Sequence, residues 1–419
     1  MLLSLSPSLA FRPSLRHLTS SSKYCALTSI ASLDESGVVN SWIDSSVITQ
    51  SINEPNEVQD KKTGIAEFSD LIQNFSSSPV EKLIIRDSLL VYIKRDDLLR
   101  LRGPGISGNK ARKMLSLITS SLQSNSNPNP NSSSPDTTPT PPINSLVSHG
   151  GHQSNAMLSL SACSNYLSIP FTYYCKKLPR WLKNNPSGNY LRSKSLGMQV
   201  IQLSNEEYNN KFSITPTNIP PFDPPTSKAL WVPQGGASNL AVQGCERLAG
   251  EIYDFYVSHF REGSGVGVVI PCGTGCTALL VHREINRLME NYTGTGTLKV
   301  IGVGVCGGRK GITAQMKLLS KETGHEGESL PEIIDCKIPF AKPVQNVVDV
   351  FQEMKEYGVF LDLIYGAPAW VSIFREKKKP DGLLKDLQIF YVHTGGLEGV
   401  SSQLTRYKHA ELVDSDVVQ

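Results

Sequence analysis

Short apolar strands run straight into glycine-containing turns, and each turn is followed by a helix. Turns of this kind begin at Gly150, Gly235, Gly273 and Gly395. Period-2 and short apolar runs predict strands over 89–93, 145–148, 169–174, 198–203, 266–270, 298–305 and 387–392, and another from 230. Helical spacing predicts helices over 111–122, 156–163, 181–196, 239–260, 278–288, 311–323 and 397–404. Such alternation builds a mainly parallel α/β sheet. In an open sheet of this type, ligands gather outside the carboxyl ends of the strands. Four such turns therefore point to one shared crevice.

A fifth strand-to-helix turn carries the chemistry. Lys94-Arg95-Asp96-Asp97 is followed by the loop from Gly103 to Gly108, then Asn109-Lys110-Ala111-Arg112-Lys113. Gly103, Gly105 and Gly108 let the backbone turn and approach a ligand closely. Lys110 and Lys113 are three apart and share a helix face. Two cations there are costly unless one is neutralised or an anion sits beside them. A lysine that bonds a carbonyl next to a lysine that holds a phosphate removes both difficulties. From these residues alone, a solvated basic helix start remains the simpler reading.

The other turns add donors. Gly273-Thr274-Gly275-Cys276-Thr277 aims backbone N–H groups, two hydroxyls and a helix dipole at one point, where a phosphate fits. It matches neither the Walker spacing nor G-x-G-x-x-G. In His149-Gly150-Gly151-His152-Gln153-Ser154-Asn155, the last three side chains can contact a ligand or cap a helix. His149 and His152 lack a third metal ligand, and no metal is expected.

Composition removes several function classes. The 419 residues carry 41 basic and 38 acidic groups, a net +3, which gives no case for nucleic acid or anionic membranes. The eight cysteines are scattered, and a zinc or disulfide framework is not expected. No apolar run approaches the roughly 18 residues of a membrane span. Residues 1–33 are Ser-rich and hold Arg12, Arg16, His17 and Lys23 with no acid before Asp34. This is the pattern of an organelle transit peptide, mitochondrial by its arginines, with plastid as the alternative. Residues 34–80 read as a polar arm. Ser/Asn/Pro-rich stretches at about 123–142 and 205–228 read as disordered insertions.

Six motifs occur together in order: Ser107–Lys113, His149–Asn155, Val232–Ser238, Cys272–Thr277, Tyr365-Gly366-Ala367-Pro368 and His393-Thr394-Gly395-Gly396. Over about residues 80–410 the chain thereby resembles the 1-aminocyclopropane-1-carboxylate (ACC) deaminase/D-cysteine desulfhydrase family. The resemblance implies PLP (pyridoxal 5'-phosphate) fold type II: two open, mainly parallel sheets flanked by helices, with the cofactor in the interdomain cleft. It implies a larger cofactor domain from 81–112 and 229–410, a smaller domain from 113–228, and a tail at 411–419. It also implies roles. Lys110 would be the Schiff-base lysine. Lys113 with Gly273, Thr274, Gly275, Cys276 and Thr277 would hold the phosphate, Asn155 the ring oxygen, and Thr394 would face the pyridine nitrogen. Gln153, Ser154, Tyr365 and His393 would meet the substrate, with Lys110, Ser154 and Tyr365 catalytic.

The reaction implied is β-elimination from cysteine, D-cysteine favoured, to pyruvate, ammonia and hydrogen sulfide. A neutral Thr394 hydroxyl leaves the pyridine nitrogen unprotonated, which favours loss of a good β-leaving group. The alternatives are ACC deamination, another elimination or replacement on L-cysteine or β-chloroalanine, and a non-catalytic PLP-binding protein. Proteins of this fold type often form homodimers. Where the family has a histidine after Gln-Ser-Asn, this chain has Ala156-Met157-Leu158, a departure that bears on substrate choice.

Overall fold

The computed structural model describes residues 77–125, 143–212 and 229–413, together with the two-residue strand at 38–39. The targeting segment expected at 1–33, most of the arm, and residues 126–142, 213–228 and 414–419 lie outside the described residues. In chain order the elements begin with β1 (Val38–Val39), β2 (Val80–Ile85), β3 (Leu89–Lys94), β4 (Arg100–Leu101), β5 (Ile106–Ser107) and α1 (Asn109–Asn125). There follow β6 (Ser145–His149), α2 (Asn155–Leu167), β7 (Phe171–Lys176), α3 (Arg180–Asn184), α4 (Gly188–Ser195), β8 (Gln199–Leu203), α5 (Asn205–Phe212) and β9 (Ala229–Val232). Next are α6 (Val242–His259), β10 (Gly265–Cys272), α7 (Cys276–Met289), β11 (Thr297–Gly304), α8 (Gly308–Glu322) and β12 (Glu332–Asp335). The chain closes with α9 (Gln345–Glu356), α10 (Gly366–Lys377), β13 (Gln388–Val392) and α11 (Val400–His409).

Two separate sheets result. The larger has the order β1-β2-β3-β13-β10-β11-β12, and only the β2/β3 pair is antiparallel. The smaller has the order β8-β7-β6-β9 and is parallel throughout. Helices cover both faces of the larger sheet. One face packs Leu248, Ile252, Leu280, Ile285 and Met316, and the other packs Val347, Phe351, Trp370 and Ile373. Burial on both sides explains why β10 is an unbroken apolar run rather than an alternating one. The smaller sheet shares its core with α1 and α2 through Leu117, Ile118, Leu160 and Phe171. This α/β architecture is that of fold type II.

Three differences from the expected elements have physical causes. The helix expected over 181–196 is split into α3 and α4, because Pro186 drives Asn185 out of helical geometry (φ −129°, ψ 79°). The insertion expected to be disordered from 205 is instead helical as far as Phe212. Ser204 Oγ accepts from Glu207 N at 3.1 Å while Glu207 Oε2 accepts from Ser204 N at 2.7 Å, a reciprocal capping box. Strands β2 and β12 and helices α9 and α10 were not anticipated. They are short, or carry apolar spacing that has no glycine turn to announce it.

Helix α1 is locked to the larger sheet by charge. Lys94, Arg95, Asp96 and Asp97 are all at least 98% buried. Arg112 grips Asp96 through two bonds of 2.8 Å and Glu251 of α6 at 2.9 and 2.8 Å. Lys94 meets the same Glu251 at 2.7 Å. Arg95 bonds Asp97 at 2.9 and 2.8 Å and also pairs with Glu81. Helix α6 comes close enough to α1 that a Cβ on Gly244 would lie 2.1 Å from the Arg112 carbonyl oxygen. Arg112→Met is expected to lower stability by about 3–5 kcal/mol, since it takes the counter-ion from the fully buried Asp96 and one of the cations from the part-buried Glu251. Urea unfolding measures this. Arg287→Met, which breaks an exposed pair with Glu284, should leave the midpoint at the wild-type value.

Candidate active site

The network above sets down the first turn of α1 at the carboxyl end of β3. Gly108 (φ 66°) and Gly395 (φ 77°) meet back to back: a Cβ on Gly108 would lie 2.7 Å from Thr394 O, and one on Gly395 would lie 2.8 Å from Gly108 Cα. Asn109 N donates to Thr394 O at 3.1 Å. Strands β3 and β13 are parallel neighbours, so their two following loops emerge side by side and can interlock this way.

One cavity of about 910 Å³ opens where the loops converge. Of the site residues expected from sequence, Lys110, Lys113, Gln153, Ser154, Asn155, Gly273, Thr274, Gly275, Cys276, Thr277, Tyr365 and Thr394 all line it. His393 does not. It is 1% exposed, its Nε2 bonds Phe360 O at 2.6 Å, and its Nδ1 accepts from Gly395 N at 3.2 Å. The substrate contact expected of His393 is therefore corrected: with both nitrogens spent on backbone, the ring shapes the turn that presents Thr394.

The end of the cavity near Lys113 is suited to an anion. Lys113 is 4% exposed, and among the described residues its Nζ makes one long hydrogen bond, 3.4 Å to Gly235 O. Among the described residues no carboxylate lies within salt-bridge distance of it. The N-terminus of α7 faces the same space, with Gly275 as its left-handed N-cap. Asn109 Nδ2 donates to Thr277 Oγ1 at 3.2 Å and ties the two helix starts together. A Cβ on Gly235 would meet Thr274 Cγ2 at 2.8 Å, and one on Gly273 would meet the Tyr365 ring at 3.0 Å. A buried ammonium without a counter-ion, a helix N-terminus and glycine walls fit a phosphate group.

Lys110 borders the cavity and is half-buried. Desolvation by the surrounding protein, and next the like charge of Lys113, bring its amine down to about 7. A neutral amine is the nucleophile that a cofactor carbonyl requires. Tyr365 stands against Gly273 and packs on Phe340 with ring centroids 5.8 Å apart. Burial pushes its phenol up, so it stays a protonated donor. Asp362 fixes the approach by accepting from the N–H groups of Ile364, Tyr365 and Gly366 at 2.7–2.9 Å.

The turn before α2 is held from the side. Ser154 caps α2, accepting from Met157 N at 3.3 Å. Gln153 spends both ends on α4 and the residue before it: Nε2 donates to Ser187 O at 3.0 Å and Oε1 accepts from Tyr190 N at 3.3 Å. Asn155 Oδ1 accepts from Asn189 Nδ2 at 2.7 Å. His149 and His152 point apart: His149 stacks on Phe212 at 4.1 Å, while His152 Nε2 bonds Lys176 O at 2.8 Å. Sequence reasoning missed Arg112, Glu251 and Asn189, whose partners lie 16 to 139 positions away. It also missed Glu398, which lines the cavity on the turn after Gly396.

No family model matches the chain. It is 25% identical over 330 residues to a Thermotoga maritima protein named "Putative 1-aminocyclopropane-1-carboxylate deaminase", covering 75% of this chain and 91% of that one. It is 24% identical over 319 residues to the mitochondrial bifunctional D-cysteine desulfhydrase/ACC deaminase of Arabidopsis thaliana, covering 74% and 73%. The fold resembles the crystal structure of an ACC deaminase homologue with a TM-score of 0.56 at 22% identity, over 83% of this chain and 99% of that one.

The lysine pair yields a test. Apoprotein is expected to capture pyridoxal, which lacks the phosphate, at a rate that rises with pH about a midpoint near 7, because Nζ attacks only when deprotonated. Lys113→Met removes the neighbouring positive charge and should raise that midpoint toward the ordinary lysine value of 10.5. Absorbance at stepped pH, with Lys110→Ala as the blank, measures both; a midpoint that stays put in Lys113→Met contradicts the assignment. With the α/β architecture, the anion cradle and these relatives in agreement, the chain has the architecture of PLP fold type II with a place for that cofactor, and it is related to proteins named for ACC deaminase and D-cysteine desulfhydrase.

Proposed function

We propose that this protein carries out PLP-dependent elimination or replacement at the β-carbon of a small amino acid, and that cysteine, D-cysteine in particular, is a substrate that it eliminates to pyruvate, ammonia and hydrogen sulfide. The observation that carries the reading is the gathering of Lys110, Ser154, Tyr365 and Thr394 on one cavity wall-to-wall with the anion cradle. Lys113, the 273–277 loop, Asn155 and Thr394 would hold the cofactor, and Lys110 would bond it. When bound, PLP supplies an electron sink for negative charge at the substrate Cα.

The chain's own groups handle the protons. Lys110 Nζ, with its acidity near 7, is poised to take the Cα proton at neutral pH. Ser154 Oγ stands at the N-cap of α2, where the helix dipole favours the negative charge of a substrate carboxylate. The Tyr365 phenol is a neutral donor that can hydrogen-bond a departing thiolate. Thr394 offers a hydroxyl and no charge.

A second reading is ring opening of ACC, favoured because the names of both curated relatives include that activity. Purified, PLP-loaded protein separates them: sulfide with pyruvate from D- or L-cysteine supports elimination, and α-ketobutyrate from ACC supports ring opening. Lys110→Ala should lose about 10²–10⁴-fold in either turnover. Sulfide release by Lys110→Ala at the wild-type rate would sink the assignment. A mitochondrial address in residues 1–33 belongs to the same proposal and is checked by import of a fusion carrying them.

A further inference from the structure

The cavity is longer than a cysteine requires. Asn155 and Ala162 both line it, and they stand seven residues apart on α2, roughly 10 Å along the axis. The thiol of cysteine reaches a single bond past its β-carbon. Beyond the turn at 153–155 several large apolar side chains join the lining, and Ser159, Arg192 and Ser195 stand among them. Leu158 and Ala162 come from α2, Trp181 from α3 and Leu191 from α4, while Phe340 lines the cavity next to Tyr365. Trp181, Leu191 and Phe340 are 52%, 45% and 46% exposed, and they are three of the six large apolar side chains so exposed among the described residues. Scattered exposed apolar groups need no explanation, but half of them on the rim of one cavity do.

This end of the cavity is fixed to the reacting end. The bonds from Gln153 to Ser187 and Tyr190, and from Asn189 to Asn155, set α4 at a constant place relative to the residues that line the reaction centre. Leu191 follows directly after Tyr190, so it is carried by the same anchor.

Resting on the β-elimination reading above, we propose that the apolar end binds a bulky apolar substituent on the substrate's sulfur, so that the preferred substrates are thioethers of cysteine rather than cysteine itself. The step is the same elimination. The Cα proton is removed, the Cβ–S bond breaks with its electron pair on sulfur, and the thiolate takes a proton. The 2-aminoacrylate adds one water and yields pyruvate and ammonium. No oxidant or reductant enters. The apolar substituent leaves as a thiol, R–SH, where cysteine would release hydrogen sulfide.

The test uses PLP-loaded full-length protein with S-benzylcysteine and cysteine, each as both enantiomers, following pyruvate and thiol release. S-Benzylcysteine is expected to have kcat/KM at least about tenfold above cysteine of the same configuration. Trp181→Ala should cut the ratio of the two kcat/KM values by about tenfold. Turnover of cysteine without turnover of S-benzylcysteine, or a ratio unchanged in Trp181→Ala, overturns the proposal and leaves the β-elimination reading standing. If neither compound is turned over, that reading fails, and calorimetry decides the binding site alone. Tighter binding of S-benzylcysteine to wild type than to Trp181→Ala supports the site, and equal affinity overturns it.

Discussion

The Arg112–Asp96–Glu251 cluster is the constraint on which the site depends. Arg112 lies two residues past Lys110, roughly 200° around the helix, so it points into the protein while Lys110 points into the cavity. Its guanidinium joins the loop after β3, helix α1 and helix α6 in one buried knot. Removing such charges from water is costly unless the donors find acceptors, and here all three guanidinium nitrogens bond to Asp96 or Glu251. The knot is therefore better understood as specifying where α1 starts than as a source of stability. In the role proposed for it, Lys110 would meet a carbonyl at bonding distance and would need that specification more than strength.

The site draws on both sheets. Strands β3, β10 and β13 deliver Lys110, the Gly/Thr loop and Thr394, while β6 delivers the turn at 153–155 and β9 delivers Gly235. Parallel strands put all of these loops at carboxyl ends, so a cleft between two sheets collects five of them without any long connection. The cradle is built from backbone and small residues, and its one full charge is Lys113. That charge acts twice: it suits an anion, and after desolvation it is the next cause that lowers the neighbouring amine to about 7.

Much of this was legible in sequence, for a definite reason. Glycine-terminated strands announce both the parallel sheet and the place where its loops converge, and the lysine pair announces a need for an anion. Side-chain direction was not legible. His393 and Thr394 are adjacent in a conspicuous motif, yet the turn after β13 buries one in the core and sets the other on the cavity. Some misses were readable after all: Ser204 and Glu207 form a capping box, and Pro186 breaks a helix by its own geometry. The partners of Arg112 and Asn155 could not be read, because nothing local in a chain marks a bond to a side chain many positions away.

The bond between Asn155 and Asn189 has a thermodynamic consequence. Asn155 Oδ1 accepts from α4 while its amide faces Gly396, so the residue expected to touch the cofactor ring is also a strut of the outer cavity wall. A ligand that changes how Asn155 is bonded changes the hold on α4, and a ligand that displaces α4 changes Asn155. Occupants that both act on this bond would share one coupling free energy, and by reciprocity each would alter the affinity for the other by the same factor. If Asn155 holds the cofactor as proposed, cofactor retention and substrate shape draw on one bond rather than two.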